Sequence, residues 1–179
     1  MSSPPKHLNL GCGRVKRPGC LNVDREAFFE PDLEWDLNRR PYPLPRRHFE
    51  EIYIHDVIEH LDSVGDFIEE AHELLVPGGL LEITTPHFSC SNSFTDPTHR
   101  HHLGCFSFDV YLEPERFSFV SPARFTLESR LLVFRAGPII GRFARWANRH
   151  PTFYEQRLTW IIPAWFLIFR LRARVDEPA

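Results

Sequence analysis

The sequence predicts an α/β fold, with a doubly wound, mostly parallel sheet that ends in an antiparallel pair of C-terminal strands. Three observations predict it. Short apolar strand candidates alternate with helix candidates along the chain. The first strand, Leu8–Leu10, runs straight into Gly11-Cys12-Gly13, and a second, Leu21–Val23, delivers Asp24. Near the end, Trp165–Val175 places Arg170, Arg172 and Arg174 on one face, the period-two pattern of a strand with one solvated side.

The intervening elements follow in order. Leu33–Leu37 is a short strand candidate carrying Asp36 near its end. Arg39–Arg47 is a loop, because Pro41, Pro43 and Pro45 forbid a helix. Glu51–Ile54 is a strand. Ser63 and Asp66 form a capping-box pattern, and Val64, Phe67, Ile68, Ala71, Leu74 and Leu75 share one helical face. Pro77-Gly78-Gly79 stops that helix and leads into a buried strand, Leu80–Thr85. A polar, histidine-rich loop spans Pro86–Gly104. Phe106–Tyr111 and Pro122–Phe125 read as short helical or turn segments, and Leu127–Phe134 as a strand. Ile139–Asn148 and Phe153–Ile162 read as helices. With no repeat or linker, residues 1–179 are expected to form a single domain.

Composition narrows the function classes. The hydrophobic fraction of 42% excludes a disordered chain. The four cysteines form no C-x-x-C pair, so reduced thiols and a cytoplasmic setting are expected. Met1–Lys6 is polar and proline-rich rather than signal-like, and no apolar run is long enough for a bilayer span. The net charge of −3 hides an asymmetry. Residues 1–120 carry −9, whereas residues 121–179 carry +6 and are rich in Trp and Phe. Residues 137–174 are therefore a candidate peripheral contact with an anionic membrane, against the plainer reading of a solvated basic face over an aromatic core. A nucleic-acid partner is not expected.

The glycine turn and Asp24 suit a nucleoside site. Glycine tolerates positive φ and lets the backbone approach a ligand. A carboxylate at the end of the next strand can accept from both ribose hydroxyls. In dinucleotide sites that acid lies about 20 residues on, and a third glycine packs a long helix beneath a pyrophosphate. Here Asp24 is thirteen positions after Gly11, Lys16 stands at the third-glycine position, and Arg14–Gly19 is a poor helix. A pyrophosphate depends on such a helix. S-adenosylmethionine carries no phosphate and needs it less. These residues alone also fit a strand–turn–strand whose glycines serve only to turn.

Four motifs in order carry a family resemblance. They are Leu8–Gly13, Asn22-Val23-Asp24, His55–Leu61 and Leu74–Leu81, with a weaker echo in Asp96-Pro97-Thr98-His99. Together they resemble the class I S-adenosylmethionine-dependent methyltransferases of the small type with a shortened first helix. The resemblance implies a Rossmann-like methyltransferase fold and S-adenosylmethionine as cofactor. It implies that Gly11, Cys12 and Gly13 line the methionine and ribose side and that Asp24 holds the ribose hydroxyls. Asp36 and Leu37 would meet the adenine, and His55 would lie near the cofactor floor. Asn9 stands where the family usually has an acid. The short helix removes cover from the cofactor, so the pocket is expected to be open, or closed by a homodimer partner or by the late helices.

The acceptor chemistry is sought in the loop after Ile83, since such sites lie beyond the carboxyl ends of strands. His87 and His99 are the candidate bases, with Asp96 orienting one of them. Taken singly, each histidine also fits a loop cap. Asp56, Glu59 and His60 have the spacing of one helical face and, with a loop histidine, are a candidate divalent-metal set that certain quinone-directed relatives resemble. The expected activity is methyl transfer to O or N of a small-molecule acceptor, with a sugar or a lipid-linked intermediate favoured by analogy. A non-catalytic S-adenosylmethionine-binding or scaffold protein of the same fold is the alternative.

Overall fold

Seven strands form one sheet in the order β3-β2-β1-β4-β5-β7-β6 in a computed structural model that describes residues 5–113, 117, 119–135 and 137–174. The strands are β1 (His7–Leu10), β2 (Cys20–Asp24), β3 (Leu33–Glu34), β4 (Phe49–His55), β5 (Leu75–Pro86), β6 (Phe125–Val133) and β7 (Phe166–Ala173). β1 to β5 pair in parallel, and β7 runs antiparallel to both β5 and β6. The central strands are apolar because both faces are covered. Leu8, Leu10, Ile52, Ile54, Leu81 and Ile83 are all fully buried. β7 alternates as its sequence predicts. Leu167, Phe169 and Leu171 point inward, while Arg170 and Arg172 pair outward with Glu82 and Glu128.

Among the described residues the complete α-helices are α1 (Val64–Leu74), a single turn α2 (Asn92–Thr95), α3 (Pro138–Arg149) and α4 (Pro151–Arg157). The Ser63 side chain caps α1 by accepting from the Asp66 amide at 3.1 Å. The buried face of α1 carries Phe67, Ile68, Ala71 and Leu74. Its Glu70 is buried too, and is matched by Arg40, Arg46 and the Tyr42 amide. The helix expected over Phe153–Ile162 is shorter and starts earlier. Pro151 sits in the first turn, where a missing N–H costs nothing, and the chain leaves helical geometry at Leu158. α3 lies against the outermost strand, where Asn148 accepts from the Leu132 amide at 2.7 Å and donates to its carbonyl at 2.9 Å. The side chain thereby stands in for a missing neighbour at the sheet edge.

The short crossover between β1 and β2 has a specific cause. Asn9 and Asn22 are register partners on adjacent strands, both buried, and Asn9 Nδ2 donates to Asn22 Oδ1 at 2.9 Å. Asn9 also donates to the Val15 carbonyl, and Asn22 binds the Arg17 amide and carbonyl. These amides take over the backbone groups of residues 15–17 and hold them in a turn rather than a helix. The asparagine that departs from the usual acid at position 9 is part of that arrangement.

Candidate active site

β1 ends at Leu10, and the amides of Gly11 and Cys12 both donate to the Val23 carbonyl, at 2.8 and 3.0 Å. Gly11 has φ +68, and a Cβ there would lie 2.3 Å from Val57 Cγ2. Only glycine meets both conditions. Asp24, 8% exposed, accepts from the Gly13 amide at Oδ2 (2.8 Å) and from the Glu26 amide at Oδ1 (2.9 Å). Each oxygen spends one lone pair on these bonds and keeps another for a ligand. The carboxylate is therefore fixed before anything binds.

A cavity of about 610 Å³ opens beyond these strand ends. Gly11, Asp24, Asp36, Leu37, Val57 and His60 line it, with Trp35 and Phe29 on its wall. The Asp36 carboxylate accepts from the Asn38 amide at 3.0 Å, and the Tyr42 hydroxyl donates to the Leu37 carbonyl at 2.8 Å. Pro97, Thr98 and Arg100 of the loop after β5 also line it. The structure thus brings together Gly11, Asp24, Asp36 and Leu37. Cys12 is buried beside the turn, and neither it nor Gly13 is part of the lining. His55 is placed elsewhere. Its imidazole contacts Glu82 at 3.1 Å and Arg17 at 3.1 Å, and burial and then Arg17 hold it below the usual histidine value.

The loop histidines separate. His87 is fully buried and lines neither this cavity nor the second one described below. Its Nδ1 accepts from the Ser89 amide at 3.1 Å, so Nε2 carries the proton and donates to Glu155 at 3.2 Å. His99 instead packs against His60, which lines the cavity. The Arg100 and His101 amides donate to the Glu59 carbonyl, and His101 Nε2 donates to the Leu61 carbonyl. These bonds join the loop to the turn after β4. His99 Nε2 then lies 4.0 Å from Glu59 Oε1 and 3.9 Å from Asp96 Oδ2, with the His60 ring 4.6 Å from its own. Burial pushes the Glu59 carboxyl up to about 7. The helical face expected for Asp56, Glu59 and His60 is absent. Asp56 takes φ +55, and Ile58–His60 forms one 3-10 turn, so His99 joins Glu59 and His60 where Asp56 was expected. The buried position of Glu59 gave no signal in the sequence beyond its place in His55–Leu61.

A second cavity, about 580 Å³, lies beside the first section of the same loop. Phe94, Phe134, Trp160, Ile162 and Trp165 make it apolar, and Arg135 stacks on Trp165 at 3.8 Å. The loop after β5 therefore contributes to both cavities.

Solved structures share this architecture. An S-adenosylmethionine-dependent methyltransferase from Archaeoglobus fulgidus is 14% identical, with a TM-score of 0.62 over 94% of this chain and 86% of that one. Another from Mesorhizobium loti is 13% identical, with a TM-score of 0.59 over 94% and 91%. The chain has the Rossmann-like methyltransferase fold. The fold also hosts other chemistry, since the (4+2)-cyclase SpnF matches at 17% identity and a TM-score of 0.54 over 98% of this chain and 77% of its own. No family model and no curated protein matches the sequence.

Proposed function

We propose that this chain is an S-adenosylmethionine-dependent methyltransferase, with residues 1–179 as one catalytic domain. The observation that carries the proposal is Asp24, fixed by two backbone amides at the edge of a nucleoside-sized cavity below a positive-φ glycine. The residues present fit the cofactor. Asp24 would accept from the ribose hydroxyls, Asp36 and Leu37 would face the adenine, and the backbone at Gly11 would border the methionine portion. The bound cofactor supplies an electrophilic methyl group. The protein's part is to align an acceptor and exclude water. The acceptor would enter along the loop after β5, so the Glu59–His60–His99 corner borders its path.

An O or N atom of a small molecule is the proposed acceptor, with a lipid-linked molecule favoured by the second cavity and its surroundings. Trp160 and Ile161 are 70% and 74% exposed there. Arg142, Arg145, Arg149 and Arg157 contact no carboxylate among the described residues. Aromatic and basic side chains together suit an anionic lipid surface. No helix among the described residues is long and apolar enough to cross a membrane, so such contact would be peripheral.

Calorimetry with S-adenosylhomocysteine tests the cofactor. Saturable binding, with NAD(H) inert, is expected, and absence of binding refutes the proposal. Transfer of labelled methyl to a cell extract separates an enzyme from a non-catalytic binder. Co-sedimentation with anionic vesicles at low salt tests the lipid contact, and its absence removes that part.

A further inference from the structure

Two clusters of ligand-bearing side chains lie within reach of one ion each among the described residues. They are His87–Cys105–Glu155 and Glu59–His60–His99. They differ in how their hydrogen bonds are spent. In the first, His87 Nε2 donates to Glu155, His87 Nδ1 accepts from Ser89, and Glu155 accepts the Cys105 amide at 2.6 Å. That network is closed and asks for nothing more. The second is open. Glu59 Oε2 accepts from the Thr85 hydroxyl at 3.0 Å, but Glu59 Oε1, on a side chain only 2% exposed, has no partner. A buried carboxylate oxygen left unpaired is costly and calls for an explanation.

The neighbouring imidazoles are held in the complementary state. His99 Nδ1 lies 3.1 Å from the Ser93 carbonyl, an acceptor only, so Nδ1 carries a proton, and in the neutral ring Nε2 presents a lone pair toward Glu59. The same logic reaches His60 through a relay. The Asp96 carboxylate accepts from the Thr98 amide at 2.8 Å and from the Thr98 hydroxyl at 2.6 Å. The Thr98 oxygen must then accept from His60 Nδ1 at 2.9 Å, which leaves His60 Nε2 as the lone pair. Both rings thus have their Nδ1 occupied by an outer partner and their Nε2 free. Metal-binding histidines are oriented by outer partners in the same manner.

We propose that Glu59 Oε1, His60 Nε2 and His99 Nε2 bind a divalent first-row transition metal. The ligand atoms of the cluster lie within 4.8 Å of one another, and Glu59 Oε1 and His99 Nε2 are 4.0 Å apart. Tetrahedral Zn–N and Zn–O bonds of about 2.0–2.2 Å place two ligands about 3.3–3.6 Å apart, so side-chain movements of about 0.5–1.5 Å close the set. Two imidazoles and one carboxylate suit zinc or iron(II), and not magnesium or calcium, which take oxygen ligands. His60 also lines the first cavity, so the ion would border the acceptor path. Its binding stands without methyl transfer. Only its use, as a Lewis acid toward an acceptor hydroxyl, rests on the proposed function. In that use the ion occupies the lone pair by which His99 would act as a base, and replaces it.

The test titrates chelator-dialysed full-length protein with Zn²⁺ by calorimetry and with Co²⁺ by visible absorption. One equivalent is expected, and Mg²⁺ should not compete. Glu59→Gln and Thr98→Val should each weaken Zn²⁺ at least tenfold, while Cys105→Ser should not. Zn²⁺ should also raise the melting temperature of the wild type but not of Glu59→Gln. S-adenosylhomocysteine binding by Glu59→Gln checks that the fold is intact and keeps the cofactor reading separate. Absence of saturable Zn²⁺ binding, unchanged affinity in Glu59→Gln, or a loss confined to Cys105→Ser overturns the proposal.

Discussion

Replacing Asp24 by Ala removes two kinds of bond, and the structure separates them. The carboxylate already accepts from the Gly13 and Glu26 amides at 2.8 and 2.9 Å. Glu26 lines the open cavity and both bonds are only part-buried, so water can replace the lost acceptor, and the expected stability loss is about 1–2 kcal/mol. The ribose contact is the second kind. Hydrogen bonds to a charged acceptor contribute about 1.5–3 kcal/mol, which weakens S-adenosylhomocysteine about 10- to 150-fold. A thermodynamic cycle isolates that term from any change in the turn. Calorimetry compares S-adenosylhomocysteine with its 2′,3′-dideoxy analogue on wild type and Asp24→Ala. Loss of the hydroxyls should cost the wild type about 10- to 150-fold and the variant less than about threefold. An equal cost in both proteins would show that Asp24 does not face the ribose, and would refute the argument from the glycine turn.

Three further predictions follow from burial and backbone geometry. Gly11→Ala forces a side chain into positive φ and against Val57, and should lower stability by about 1–3 kcal/mol; adding Val57→Ala should restore part of it in denaturant titrations, and no restoration would assign the whole cost to the backbone. His72 donates from Nε2 to the Arg174 carbonyl at 2.7 Å, and burial holds its pKa below the usual value, with Arg47, Glu73 and Arg124 also facing it. The native state then favours neutral imidazole, so this stability is complete above about pH 6.5 and is lost as pH falls below it, when the unfolded chain takes up a proton that the native chain refuses. Denaturant midpoints at about pH 7.5 and pH 5.5 should differ less for His72→Gln than for wild type, and an equal difference would exclude His72 as the cause. Burial, then the Glu155 carboxylate, pushes the Cys105 thiol up to about 12, so at pH 8 iodoacetamide should reach the half-exposed Cys20 well before Cys105, as read by peptide mass spectrometry. Labelling in the opposite order would contradict the packing around Glu155.

The parts legible in the sequence are those governed by neighbours in the chain. Gly11 and Asp24 could be read because a positive-φ turn and a strand-end acid lie thirteen positions apart on paired strands. Ser63 could be read as a cap because its partner is three residues on. Arg170 and Arg172 declared a solvated strand face by alternation alone. The end of α4 was misplaced because the apolar run through Ile162 looks the same in a helix and in the turn that follows it. His87 and His99 look alike in the loop, yet one is sealed against Glu155 and the other stands beside Glu59. Composition cannot tell them apart, since burial is set by what packs on each from 40 or more residues away.

The sequence by itself determined the sheet, the glycine turn and the acid that faces the cavity, through propensity, periodicity and φ preferences that act over a few residues. Only the tertiary structure decided the corner where Glu59, His60 and His99 meet. Two parallel strand ends bring distant loops together there, and two backbone amides of one loop bind the Glu59 carbonyl of the other. The unpaired oxygen and the free imidazole nitrogens arise from hydrogen bonds that span the fold, and no local pattern encodes them.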